Sequence, residues 1–456
     1  MTDYLLRRLL MMIPTLLGMT LVVFIVMAAS PGGLSASSLI SGQMEPEAKK
    51  ALEDYYNRRY GLDDPLPLQY LRWLNNISPV GFETDPLSGE SRFSLWKGAD
   101  LGDSLYYGRS VADLLKERVP VTLLLNLLSV PLIYLLAIVL GVQAARKRGS
   151  LFDRISGTLL LGLWSLPTML AGILLIGFLA SEQYLHWFPV SGLSYREAVD
   201  MPFLPHWDTL VAGLLTVVLL SLSTCFALWS MLKLSANHRQ AVVALSVLVF
   251  LVLFYITGHI GVTGALAILL IGALLTVQAT SAASVLRASA YLIFLLTMSV
   301  LSLKFFAPGE FTRGFLLDRV WHLVLPVICL SYGGIAYLAK LTRSGVLENL
   351  RANFARTARA KGLHESEILW HHVFRNSLLP LITVAASVLP GLLAGSIIVE
   401  TLFSIDGMGK LAVEAVQGRD RELVLSITLI SGLLTLFSYL IADILYALVD
   451  PRVSYE

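Results

Sequence analysis

The sequence predicts an all-α polytopic membrane protein, and three observations carry that prediction. The 456 residues are 56% hydrophobic and 14% charged, against about 25% charged in soluble globular chains, and the mean hydropathy is +0.71. The apolar residues fall in runs of about 20, the length a helix needs to cross roughly 30 Å of hydrocarbon. The runs also lack the alternation of apolar and polar residues that marks β-barrel strands. An ordinary soluble enzyme is excluded. Lys+Arg 34 against Asp+Glu 32 gives a net charge of +2, too small a bias to imply nucleic acid as a partner.

The first apolar run covers residues 9–29 behind Arg7 and Arg8. Its ending, Ala28-Ala29-Ser30, resembles a signal-peptidase site, but the run is long for a signal core and reads as a retained helix. Further runs lie at about 121–143, 156–180, 209–232, 241–257, 260–279, 285–303, 321–341, 378–400 and 423–448. That makes about ten spans. Cys225 and Cys329 both sit inside such runs with no second cysteine at metal-binding spacing, so they read as small buried hydrophobes.

Orientation follows from the basic residues of short loops. Arg146, Lys147, Arg148 and Arg154 face one acid, Asp153, and the segment 340–375 carries seven Lys/Arg against Glu348, Glu365 and Glu367. Both are expected on the cytoplasmic side, with Lys233, Arg239, Arg287 and both termini. The segment 31–119 holds ten Lys/Arg and thirteen Asp/Glu, and 401–422 holds three and four; these are expected outside. Within 31–119 a helix-like stretch at 47–59 precedes Pro65, Pro67, Pro79 and Pro86 among turn-forming residues. The segment reads as a loop with little core of its own, either a connector or a contact for an external partner.

Residues 342–380 read as helix, turn, helix: good helix formers break at Gly362 and are closed by Pro380. Small residues lie on one side from 352 to 360, rimmed by Arg356, Arg359 and Lys361, so a short helix there can approach another protein closely. Gly362 stands where a residue able to take positive φ would end the helix and offer Leu363 as an apolar knob. The same pattern suits a basic helix lying on anionic lipid.

The stretches RTARAKGL and HHVFRNSLLP resemble the cytoplasmic coupling motif of ABC-importer permeases, in the form of the dipeptide/oligopeptide/nickel branch. The opening YLLRRLLMMIPTLLGMTLVVF, the outer YGLDDPLPLQYLRWL and LGDSLYYGRSVADLL, then ERVPVTLLLNLLSV, AARKRGSLFDR, HLVLPVICLSYGGIAYLAKLTRSGVLE, IVETLFSIDGMGKLAVEAV and DILYALVDPR resemble that family in order. They cover nearly the whole chain except about 205–318.

The resemblance implies a six-helix permease core plus about four inserted membrane helices. The boundaries it implies are a first helix at 1–30, an outer loop at 31–119, core helices at 120–204, an inserted bundle at 205–318, and core helices at 319–456 carrying the coupling segment 342–377. It makes Arg356, Thr357, Ala358, Lys361, Gly362 and Leu363 the residues that dock a cytoplasmic ATPase. Arg356 stands where the broader family has Glu, so no salt bridge is carried over from that Glu. The implied partners are one or two kinds of ATPase subunit, a second homologous permease, an extracytoplasmic substrate-binding protein and the lipids of a plasma or inner membrane.

No ATP site is present: the nearest approach to G-x-x-x-x-G-K-[ST] has Ser404 and Leu411 at its two ends. No catalytic constellation or cofactor motif is found. Adjacent His371 and His372 lack metal-ligand spacing, so no metal is expected. Asp443 is an intramembrane carboxylate, suited to proton coupling or to an ion pair with Arg7 or Arg8; scarce ionisable partners favour the pair. Glu400, Gly391 and Gly395 are pathway or gating candidates: Glu400 reads equally as a hydrated carboxylate at the outer interface or as a gating or packing contact, and the Gly391–Gly395 pair reads equally as close packing to a neighbour helix. The inserted helices read as a peripheral bundle, a stabiliser or a dock for another membrane protein. The alternatives to an importer subunit are an ATP-independent secondary transporter and a membrane scaffold.

Overall fold

The computed structural model describes residues 2–30, 64–84, 91–208, 210–256, 262–280, 284–306 and 311–449, with isolated positions between 47 and 54. The stretch expected to be helical at 47–59 lies largely outside them, and so do the side chains of 385–395.

The elements run α1 (Thr2–Ala29), α2 (Leu66–Ile77), β1 (Gly81–Thr84), β2 (Ser91–Ser94), α3 (Val111–Arg146), α4 (Leu151–Ser165), α5 (Thr168–Leu175), β3 (His206–Trp207), α6 (Leu210–Lys233), α7 (Ala236–Ile256), α8 (Val262–Gln278) and α9 (Ser284–Phe306). There follow β4 (Phe311–Thr312), α10 (Gly314–Arg351), α11 (Asn353–Ala360), α12 (Phe374–Leu402), α13 (Met408–Gln417) and α14 (Arg421–Val449). The described parts of the apolar runs lie on helices, with the run 156–180 divided between two. Among the described residues six helices are long and apolar enough to span a membrane, or seven if a bent pair counts as one span.

That bent pair corrects the expectation of one straight helix over 156–180: α4 and α5 meet at 102°. Pro167 is the cause, since it lacks an N–H and drives the residue before it out of the helical region. Leu166 is accordingly extended, at φ −80° and ψ 122°, and the Tyr332 hydroxyl donates to its carbonyl at 2.6 Å.

The chain divides into two compact units, Met1–Leu175 with Val324–Glu456, and Ile176–Leu323. In the first, α1 lies along α14: Arg8 pairs with Asp443 at 2.7 Å, and 16 positions further along α1, Phe24 is buried with Leu425. The helix α2 was not foreseen, because Pro65 and Pro67 read as turn markers. Proline suits a first helical turn, whose N–H groups have no acceptor within the helix. Buried Tyr70 and Trp73 seat α2 against Phe24. The antiparallel pair β1–β2 follows, with Phe82 opposite Phe93.

In the second unit α6–α9 share a core that includes Met231, Val243, Val247, Phe254, Tyr291 and Phe294. The ends of this segment lie side by side: β3 pairs with β4, and the N–H groups of Phe315 and Leu316 donate to the carbonyls of Pro202 and Phe203. Arg287 donates to the Met231 carbonyl at 2.7 Å and Arg239 to that of Ala279 at 2.8 Å, satisfying the bare carbonyls of helix ends. Cys329 is buried as expected, but Cys225 is exposed; in a membrane helix an apolar residue can face the surroundings as well as the core.

Candidate functional site

The segment expected to couple, 342–377, starts within α10, and the chain breaks where that helix stops at Arg351. Ala352 is extended, at φ −65° and ψ 155°, and turns the chain into the two-turn helix α11. The end of α11 is a glycine cap in which the Gly362 N–H donates to the Arg359 carbonyl at 2.9 Å and the Leu363 N–H to that of Ala358 at 3.3 Å. This double closure needs a left-handed residue after the helix, and Gly362 has φ +77°. No atom lies within 4 Å of where a Cβ would stand on Gly362, so backbone conformation, not crowding, selects glycine here.

Arg359 braces the same turn. It donates to Glu365 at 2.7 Å and to the Leu350 carbonyl at 3.2 Å, and its hydrogen bond holds the Glu365 carboxyl below its ordinary pKa. The His364 ring accepts the Ser366 N–H and starts a short turn, Glu365–Glu367, that runs through Ile368–Val373 into α12.

The six residues singled out from the sequence divide by side. Arg356, Thr357, Lys361 and Gly362 are exposed, whereas Ala358 is buried and Leu363 half-buried. Ala355, Ala358, Ile368, Leu369 and Val373 form one core with Val142 and Ala145 of α3 and Val346 of α10, and Leu363 packs on it. The small-residue side of α11 therefore meets its own chain, and Leu363 is an inward knob. Two exposed aromatic residues that the sequence reading passed over lie in this stretch, Phe354 on α11 at 38% and Trp370 before α12 at 48% exposure.

Two of the family-like stretches meet behind this surface. Arg343 of α10 grips Asp153, the first-turn acid of α4, through Nε at 2.6 Å and Nη2 at 2.8 Å, and the Gly149 N–H also donates to Asp153. Asn349 donates to Ser377 at 3.0 Å, tying α10 to the start of α12. Sequence pattern had counted Asp153 as a lone acid in a basic loop.

Glu400, at the other end of α12, is completely buried. It accepts from the Thr122 hydroxyl at 2.7 Å and the Lys410 N–H at 2.9 Å, so its carboxylate sits at the start of α13. Gly391 and Gly395 lie in α12, and their surroundings lie outside the described residues. Asp443 holds Arg8. His371 and His372 are exposed, and no metal-binding cluster occurs among the described residues.

Residues 137–455 match the family described as binding-protein-dependent transport system inner membrane component, and residues 1–126 match the N-terminal part described for the same systems. The chain belongs to that family of inner-membrane transport components. It is 28% identical over 456 aligned residues, spanning 100% of both chains, to the oligopeptide transport system permease protein AppB of Bacillus subtilis. Identity is 27% over 460 residues, again 100% of both, with the dipeptide transport system permease protein DppB of Escherichia coli K12. With the oligopeptide transport system permease protein OppB of Haemophilus influenzae it is 42% over 134 residues, 29% of this chain and 44% of that one. As a member of the family it is a multi-pass permease subunit of an ABC-type importer. A substrate-binding protein, a partner permease and a separate ATPase complete such a system.

Proposed function

We propose that this permease imports peptides or a related small solute, and that its ATPase seats on the outward side of α11, at Arg356, Thr357, Lys361 and the Gly362 turn. The observation that carries this reading is the two-sidedness of α11. Its inner residues are locked into α3, α10 and the turn before α12, while Arg356, Thr357, Lys361 and Gly362 are left exposed. A pull on the outer side is transmitted to three long helices, which suits a rigid-body switch driven by a partner's closure. Both termini and the coupling segment face the cytoplasm in this reading, in keeping with their basic loops, and α12, with Gly391 and Gly395, borders the pathway.

The peptide assignment is supported by the permeases the chain resembles across its whole length. Uptake of labelled di- and oligopeptides into proteoliposomes holding the purified transporter tests it. ATP-dependent uptake that requires the binding protein is the expected result, and binding-protein-dependent uptake of some other solute with none of peptides would overturn it.

A further inference from the structure

The helix α2 lies in the connection between α1 and α3, which charge counting places in water, yet its contacts reach deep along α1. The Tyr70 hydroxyl donates to the Leu17 carbonyl at 2.9 Å and lies 2.9 Å from the Thr20 hydroxyl. Leu17 is 12 residues from Ala29, the end of α1, or about 18 Å at 1.5 Å per residue. Even with the reach of a tyrosine side chain, that sets the Tyr70 end of α2 well below the end of the span. The neighbours agree. Tyr70 and Trp73 are buried with Phe24 and with Leu425, one turn inside α14, while Gln69 accepts from Arg421 at the first residue of α14.

The outward side of α2 is divided along its length. Its first half presents Leu66, Leu68 and Leu71, exposed at 47%, 52% and 58%. Its second half presents Asn76, and Asn75 exchanges hydrogen bonds with Phe82 of the hairpin, while Arg72 reaches back along the helix to pair with Asp64 at 2.5 Å, so its charge is neutralised beside the leucines. The exposed leucines thus share the half of the helix that carries Tyr70, the deep anchor.

We infer that α2 is an interfacial helix, with Leu66, Leu68 and Leu71 among the acyl chains of the leaflet on the side away from the coupling helix. Helices of this kind bury an apolar face about 5–10 Å into the headgroup–acyl boundary, the depth at which Leu425 and Phe24 hold Tyr70. Arg8 and Asp443 mark the opposite leaflet, because α12 carries the chain away from the coupling segment and α14 brings it back.

The test places an environment-sensitive fluorophore on Leu68→Cys, Leu71→Cys or Asn76→Cys, each in a Cys225→Ser background. Each variant is reconstituted in nanodiscs of phosphatidylethanolamine and phosphatidylglycerol, alone and as the assembled transporter. Probes at Leu68→Cys and Leu71→Cys should emit to the blue and be quenched several-fold more by doxyl-labelled lipid than by aqueous iodide in both preparations, with the reverse order at Asn76→Cys. Iodide quenching of all three sites alike would overturn the inference. So would lipid quenching that vanishes on assembly, since the leucines would then face a partner subunit or the binding protein. Neither outcome bears on whether the ATPase docks at α11.

Discussion

Thr122 on α3 donates its hydroxyl to the buried carboxylate of Glu400 at the end of α12, across 2.7 Å and 278 positions of sequence. The same hydroxyl oxygen accepts the Met408 N–H at 2.8 Å, so one threonine serves both the carboxylate and the first residue of α13. Gly407 closes the arrangement, since a Cβ there would stand within 2.6 Å of all three carboxylate atoms. Glu400 is thus a buried anchor between α3, α12 and α13.

Thr122→Val removes a donor from a buried carboxylate and an acceptor from a buried N–H while keeping the volume. Stranding such groups costs about 1–3 kcal/mol. The melting temperature of the purified permease in detergent should fall by several degrees, and Gly407→Ala, which crowds the same carboxylate, should fall with it.

Beside this anchor, Asp406 pairs with Lys410 at 2.9 Å and with Arg118 at 3.0 Å. Burial pushes its carboxyl up, but Lys410 and Arg118 outweigh that and hold it below its ordinary value. A carboxyl lowered on folding stabilises the folded state above its unfolded pKa, about 3.9, and that contribution fades as pH falls through the folded value. The stability gap between wild type and Asp406→Asn, measured by melting across pH, should therefore be widest above pH about 5 and narrow as pH falls below about 4 toward the lowered folded value. The solvent-exposed position of Asp406 keeps the gap small.

The helices were legible in the sequence because membrane spans announce themselves by length and composition. The turn after α11 was legible because Gly362 follows the helix formers RTARAK. What escaped is what depends on partners far apart in the chain. Asp153 gives no local sign that Arg343, 190 positions on, will grip it, and Ala358 looks the same from the sequence whether it faces a partner or its own α3. Pro65 and Pro67 misled for a different reason: proline stops a helix from inside but suits its first turn.

The Asp153–Arg343 pair makes a prediction of its own. Two parallel bonds to a largely buried carboxylate are a geometry lysine cannot reproduce. Arg343→Lys and Asp153→Asn should each cost about 1–3 kcal/mol, and the double variant should cost much less than their sum. A double-mutant cycle on melting temperature measures that coupling.

At Gly362 the requirement is left-handed backbone, with open space around it. Gly362→Asn, a residue that tolerates this conformation, should keep most of the transporter's ATP hydrolysis. Gly362→Val, β-branched and strained there, should lose most of it, and steady-state hydrolysis in nanodiscs with saturating binding protein reads the difference.

The central claim is that the outward side of α11 receives the ATPase. The most direct measurement is recovery of that subunit with a tagged permease carrying Thr357→Glu and Lys361→Glu, exposed positions whose replacement leaves the inner packing of Ala355 and Ala358 intact. The account predicts an unchanged melting temperature for the permease with the ATPase lost and peptide uptake abolished. Stoichiometric ATPase with wild-type hydrolysis on this double variant would contradict it.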